Sequence, residues 1–206
     1  MLEPSLLKGG FMKKSILVLV MISATFGFYG CGYNKIQGLD EEVKASWSEM
    51  QNQYQRRYDL VPNLVNTVKG YAKHEKDVFE TVTNARSKVG QIMIGDDLAK
   101  DPEKLKQFQK SQGELGSALT RLLAVAENYP NLKASDNFRD LQAQLEGTEN
   151  RIAVARMRYI ESVKEYNKSV RYFPTNLTAK ILLHMTTRPN FELENQAAKE
   201  TPKVTF

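Results

Sequence analysis

Cysteine is almost missing from this chain. Among 206 residues only Cys31 carries a thiol, so no disulfide can staple the fold and no cysteine cluster can hold a metal. Histidine is nearly as scarce. His74 and His184 fall on different elements, and although His74-Glu75 opens like a zinc-binding helix, Val78 stands where the second histidine is needed. No glycine-rich phosphate loop is present, and no base is placed beside a nucleophile. The sequence therefore offers no catalytic residue, no metal site, no cofactor and no small-molecule substrate. Alternating strand patterns are missing too. Charge of one sign is not in large excess: the net charge is +5, and +3 once Glu3, Lys8, Lys13 and Lys14 of the first 31 residues are left out. Basic residues are scattered among acidic ones, which excludes a nucleic-acid surface.

Long apolar runs are also missing. The apolar run that opens the chain, Ile16 to Tyr29, is uncharged over 14 residues. As a helix it spans about 21 Å, short of a hydrocarbon core of roughly 30 Å. Behind Lys13-Lys14, this run reads as a secretory signal. Met12 offers a second start, which would make residues 1–11 a spurious extension. Cys31 follows Gly30 at the end of the run and is a lipidation candidate, with cleavage ahead of it. Phe28 and Tyr29 depart from the small or leucine-like residues of a bacterial lipobox. An uncut segment over residues 16–33 would serve as a short anchor, and an unmodified cysteine is the third alternative. Residues 1–31 are thus read as signal or anchor, 32–38 as a linker, 39–187 as a helical domain and 188–206 as a flexible tail.

What is present is helical periodicity. With 41% apolar and 26% charged residues, the composition is that of an ordinary globular body. Val43, Met50, Arg57, Leu64, Tyr71, Val78, Ala85 and Ile92 recur at heptad spacing. So do Trp47, Tyr54, Val61, Val68, Glu75, Val82 and Val89. The two series make one apolar stripe, broken only by Arg57 and Glu75. Pro62 lies inside it, at a cost of about 3 kcal/mol in a helix interior. Asp59 is a good N-cap with proline in the following first turn. These residues predict a helix ending near Tyr58 and another beginning near Leu60; one helix kinked at Pro62 is the alternative.

A third helix is predicted from Pro102 to Tyr129, stopped by Pro130. A fourth follows Ser135 and ends at Phe173-Pro174, with large residues at Phe138, Leu145, Ile152, Tyr159 and Tyr166 facing small ones at Thr148, Ala155, Ser162 and Ser169. Leu177, Ile181, Leu182 and Met185 predict a short amphipathic piece. The expected fold is all-α: an elongated antiparallel up-down four-helix bundle after an N-terminal signal or anchor helix. The break at Asp59 lets the segment from Val43 to Tyr54 fold against a neighbour; without it, Trp47 and Tyr54 would lack a partner.

Gly30-Cys31-Gly32-Tyr33-Asn34, Trp47, the run Arg56-Arg57-Tyr58-Asp59-Leu60-Val61-Pro62-Asn63-Leu64-Val65, Lys69-Gly70-Tyr71, His74-Glu75, Leu123 to Leu132, Gly147-Thr148-Glu149-Asn150 and Tyr166-Asn167 together resemble the LemA family over about residues 30–190. Ile160 departs from it, standing where a second Tyr-Asn pair is usual. The resemblance implies a membrane-attached helical bundle facing away from the cytoplasm, in the bacterial envelope, with no agreed biochemical activity.

The residues that interrupt the stripe are the candidate site. A buried charge needs a partner or water. Arg56, Arg57, Asp59, Asn63, Glu75 and Glu149 are taken as one polar cluster, which either fixes helix register or receives a partner's carboxylate. Glu149 and Arg156 are candidate partners for the buried charges. Two roles follow: a tethered, non-enzymatic scaffold for envelope proteins, or a regulatory subunit of an envelope protease or other hydrolase. The expected partners are the membrane and other envelope proteins.

Overall fold

The computed structural model describes residues 8–93 and 98–191, with side chains from Gly32 onward. Every regular element among the described residues is helical. In order they are α1 (Lys8–Tyr71), α2 (Lys76–Met93), α3 (Pro102–Ala126), the short α4 (Pro130–Lys133), α5 (Asp136–Arg171), α6 (Thr175–Leu177) and a π-helical turn (Thr178–Leu182). The described residues fall into two compact units. One lies within Met1–Glu42 and Glu165–Thr187, the other within Val43–Lys164 and Arg188–Phe206.

The predicted break at Asp59 is wrong. α1 runs through Pro62 to Tyr71. Asp59 caps nothing; its carboxylate accepts a 2.8 Å hydrogen bond from Gln55 Nε2 one turn earlier. A proline at 62 has no N–H to give the carbonyl four residues back, which is Tyr58. That carbonyl instead accepts a 3.2 Å bond from Arg86 Nε on α2. The Arg86 guanidinium also lies 3.8 Å from the centre of the Tyr58 ring. Beneath the ring sits Gly90, where an added Cβ would stand 2.9 Å from Tyr58 Oη. α2 thus supplies the bond that the proline removes, and α1 stays one helix.

The chain actually turns at Ala72–Glu75. The Ala72 amide bonds to the Val68 carbonyl at 2.9 Å, and the Glu75 carbonyl accepts from Val78 and Phe79 to start α2. Asp77 stands in the first turn of α2, where its charge suits the helix dipole. Residues 32–38, read from the sequence as a linker, are helical within α1. Ile36 and Val43 are both fully buried and continue the apolar spacing backwards.

The larger unit has one core shared by five helices. Val61, Leu64 and Val68 of α1, Val82 and Val89 of α2, Leu115 and Leu122 of α3, Leu132 of α4, and Phe138 and Leu145 of α5 belong to it. α3 begins as predicted at Pro102, with Asp101 Oδ1 accepting from the amides of Glu103 at 2.9 Å and Lys104 at 3.3 Å. Its end comes at Ala126, earlier than predicted, and Pro130 opens α4 where a plain turn was expected. Ser135 sits at the start of α5, its carbonyl accepting from the Arg139 amide at 3.1 Å.

The aromatic stripe of α1 does not need a break to find partners. Trp47 packs on Phe108 of α3 at 6.0 Å and on Tyr159 of α5 at 5.2 Å. Tyr54 meets Phe108 edge-on at 5.0 Å. Tyr71, expected in the same core, is half exposed. The pairs Ser46 with Ser162, Glu49 with Arg158, Tyr54 with Arg156 and Arg57 with Glu149 run in opposite senses along α1 and α5, so these two helices are antiparallel.

Residues 188–191 are less loose than the predicted tail. Phe191 meets Tyr159 edge-on at 5.7 Å, and Asn190 Nδ2 donates to the Ile160 carbonyl at 3.4 Å. Residues 192–206 lie outside the described residues, as do the side chains of residues 1–31, Cys31 among them.

Candidate functional site

Arg57 is the centre of what the sequence singled out. It is 4% exposed. The heptad position that turns it inward is occupied by apolar side chains elsewhere along α1, so helical phase puts the guanidinium where water cannot follow. Nη1 donates to Glu149 Oε1 at 2.9 Å and to Oε2 at 3.2 Å on α5. Nη2 donates to the Gln112 carbonyl at 3.3 Å and to Gln112 Oε1 on α3. The Tyr54 ring, one turn earlier on α1, lies 5.2 Å from the guanidinium carbon. One cation therefore ties three helices together. Arg57 Nε and Gln112 Nε2 remain buried with no hydrogen-bond partner among the described residues.

Glu149 is the partner that the sequence named. Its side chain is 43% exposed, so the ion pair opens to solvent on one edge and is screened there. Arg156, the other named candidate, goes elsewhere: Nη2 donates to Tyr54 Oη at 3.0 Å. The remaining members of the proposed cluster are not brought together. Arg56, Asp59 and Asn63 are exposed along α1. The Asn63 carbonyl accepts from Thr67 Oγ1 at 2.9 Å within the helix. Glu75 belongs to the turn after α1, where Tyr129 Oη donates to its Oε1 at 3.3 Å. Partial burial, and next the Glu75 carboxylate, raise the Tyr129 pKa above its usual value. Glu75 interrupts the stripe because the helix ends there, not because it pairs with Arg57.

A feature that sequence reasoning missed lies between α2 and α3. A shallow groove of about 530 Å³ is lined by Asn84, Lys88, Lys110, Glu114, Ser117 and Arg121, among others. Lys88 Nζ donates to Glu114 Oε2 across it at 2.9 Å. That hydrogen bond, with the charge of Lys88, holds the Glu114 carboxyl below its ordinary pKa. The i, i+4 spacing of Lys110 and Glu114 could have flagged the α3 side. The α2 side needs tertiary structure to find.

The family model for the LemA family matches residues 46–206. Among curated relatives, Magnetosome protein MamQ 2 of Paramagnetospirillum magneticum is 27% identical over 165 residues, covering 72% of this chain and 61% of the relative. Magnetosome protein MamQ of Magnetospirillum gryphiswaldense is 26% identical with the same coverage. Protein LemA of Metamycoplasma hominis is 24% identical over 168 residues, covering 81% of this chain and 73% of that protein. The chain spans about three fifths of the length of the magnetosome relatives it matches.

Proposed function

The chain belongs to the LemA family, and on that premise we propose that it is a membrane-attached, non-enzymatic scaffold that binds other proteins of a bacterial cell envelope. The leader holds it to the membrane, through a lipid on Cys31 or as an uncut apolar segment. The rest stands on the extracytoplasmic side, its long helices arranged as an elongated antiparallel four-helix bundle.

One observation carries this reading. The charge that a ligand site would turn outward, Arg57, is turned inward and bonded to α3 and α5. A cation so placed fixes which residues of three helices lie level with one another, the best-attested use of a polar residue in an apolar seam. A rigid, register-locked rod displays its exposed charges at constant spacing, which suits the binding of other proteins.

The test uses the full chain, cross-linked in its own membrane and recovered with its neighbours. A recurring set of structural envelope proteins supports the scaffold. One dominant protease or hydrolase supports a regulatory subunit instead. Turnover by the purified full chain, abolished by replacing His74 and Glu75, refutes a non-enzymatic role. The mass of the mature N-terminus tests the attachment: a lipidated Cys31 or an intact leader supports it, and an unmodified cut end overturns it.

A further inference from the structure

The smaller unit shows an unusual surface. Tyr172, Phe173, Leu177, Ile181 and Leu182 are all exposed, Phe173 by 79% and Ile181 by 63%. The sequence predicts a short amphipathic piece here, and its apolar side is turned outward: Thr178 and Ala179 are buried, while Leu177, Ile181 and Leu182 are exposed. Single exposed apolar residues are ordinary, but a run of them on one turn calls for a cover.

The position of this turn says what the cover is. Thr175 and Thr178 press against α1 at Gly32, where an added Cβ would stand 3.2 Å from Thr178 Oγ1 and 3.4 Å from Thr175 Cγ2. The apolar run of α1 ends at Tyr29, three residues earlier, about 4.5 Å along a helix. Tyr33, just past Gly32, is exposed as well. So are Lys35, Arg171 and Lys180, the last two directly ahead of Tyr172 and Ile181 in the chain. Aromatic and aliphatic side chains beside lysine and arginine are the composition of segments that lie at a membrane surface, apolar side down and cations among anionic headgroups.

We infer that residues 172–182 form a second membrane contact, a cap that dips into the surface of an anionic bilayer where α1 emerges from it. This rests on the membrane attachment proposed above. The leader holds the chain to the bilayer, and the cap sets how the emerging helix meets it.

The test uses the full chain with Phe173→Trp, incorporated into vesicles of phosphatidylcholine and phosphatidylglycerol with brominated acyl chains. The parent chain has Trp47 alone, buried against Phe108 and Tyr159, and supplies the baseline. Flotation of the vesicles reports attachment separately. The cap predicts blue-shifted added emission, most of it lost to bromine quenching, and Ile181→Trp should give the same result. If the chain floats but the added emission stays red and unquenched, the cap is in water: the inference fails and the anchor survives. Blue-shifted emission without quenching means that protein covers the turn, which also overturns the inference. A chain that does not float removes the anchor and the cap together.

Discussion

Tyr159 is fully buried between Trp47 and Phe191, yet its hydroxyl has no hydrogen-bond partner among the described residues. Burial pushes its pKa up to about 12 from 10, and Arg188 offsets only part of that. The folded chain thus keeps this proton where the unfolded chain would release it. The associated stability is whole below pH 10 and is lost as pH climbs toward 12. The gap corresponds to roughly 2–3 kcal/mol. Urea titrations across that range should show the loss, and Tyr159→Phe should remove most of it. At neutral pH the same variant should lie within about 1 kcal/mol of the parent, because it deletes a buried hydroxyl with no bond to any described residue. Arg57 makes the opposite case. Replacing Glu149 by leucine strands a buried cation, and a loss of about 2–3 kcal/mol is expected after allowance for the open edge of the pair. Arg57→Met combined with Glu149→Leu should be less harmful than Glu149→Leu alone. Equal losses in denaturant melts would mean that the pair is ornamental. Arg57 and Glu149 were legible in the sequence, since a charge at an apolar heptad position demands a partner. Gln112 was not, because nothing local marks which glutamine a remote arginine will reach.

At the scale of elements, helix content and the starts of α3 and α5 could be read from caps and prolines. The end of α1 could not. Pro62 carries a real local cost, but Arg86 on α2 offsets it, 28 residues away. A rule that weighs neighbours in sequence cannot see that bond. α1 instead ends at Tyr71, just past Gly70, and α2 opens with Asp77 in its first turn. This account has a measurable signature. In the parent, Arg86→Ala leaves the Tyr58 carbonyl short of a donor. In a Pro62→Ala background the residue 62 amide is available to fill that place. The penalty of Arg86→Ala should therefore shrink by roughly 1 kcal/mol when Pro62 is alanine. Additive penalties in a double-mutant cycle would rule out the exchange of donors. The short piece over 177–185 was legible only in part, for a related reason. Its apolar spacing predicts amphipathicity correctly but does not say which side meets protein.

At the scale of the molecule, no helix among the described residues is long and apolar enough to cross a membrane. The membrane attachment proposed above runs through a lipid on Cys31 or an uncut apolar segment. Either one predicts that alkaline carbonate leaves the native chain with the membrane pellet while detergent releases it. Recovery of the chain in the carbonate supernatant would contradict both.

The Arg86 bond to the Tyr58 carbonyl also reverses the usual order of cause between secondary and tertiary structure. α1 runs unbroken through Pro62 with a donor borrowed from its neighbour. A synthetic peptide of residues 43–71 should fray or bend at the proline, and adding the α2 sequence in cis should straighten it. The continuity of α1 is a product of assembly, so whatever loosens α2 also loosens the helix it leans on.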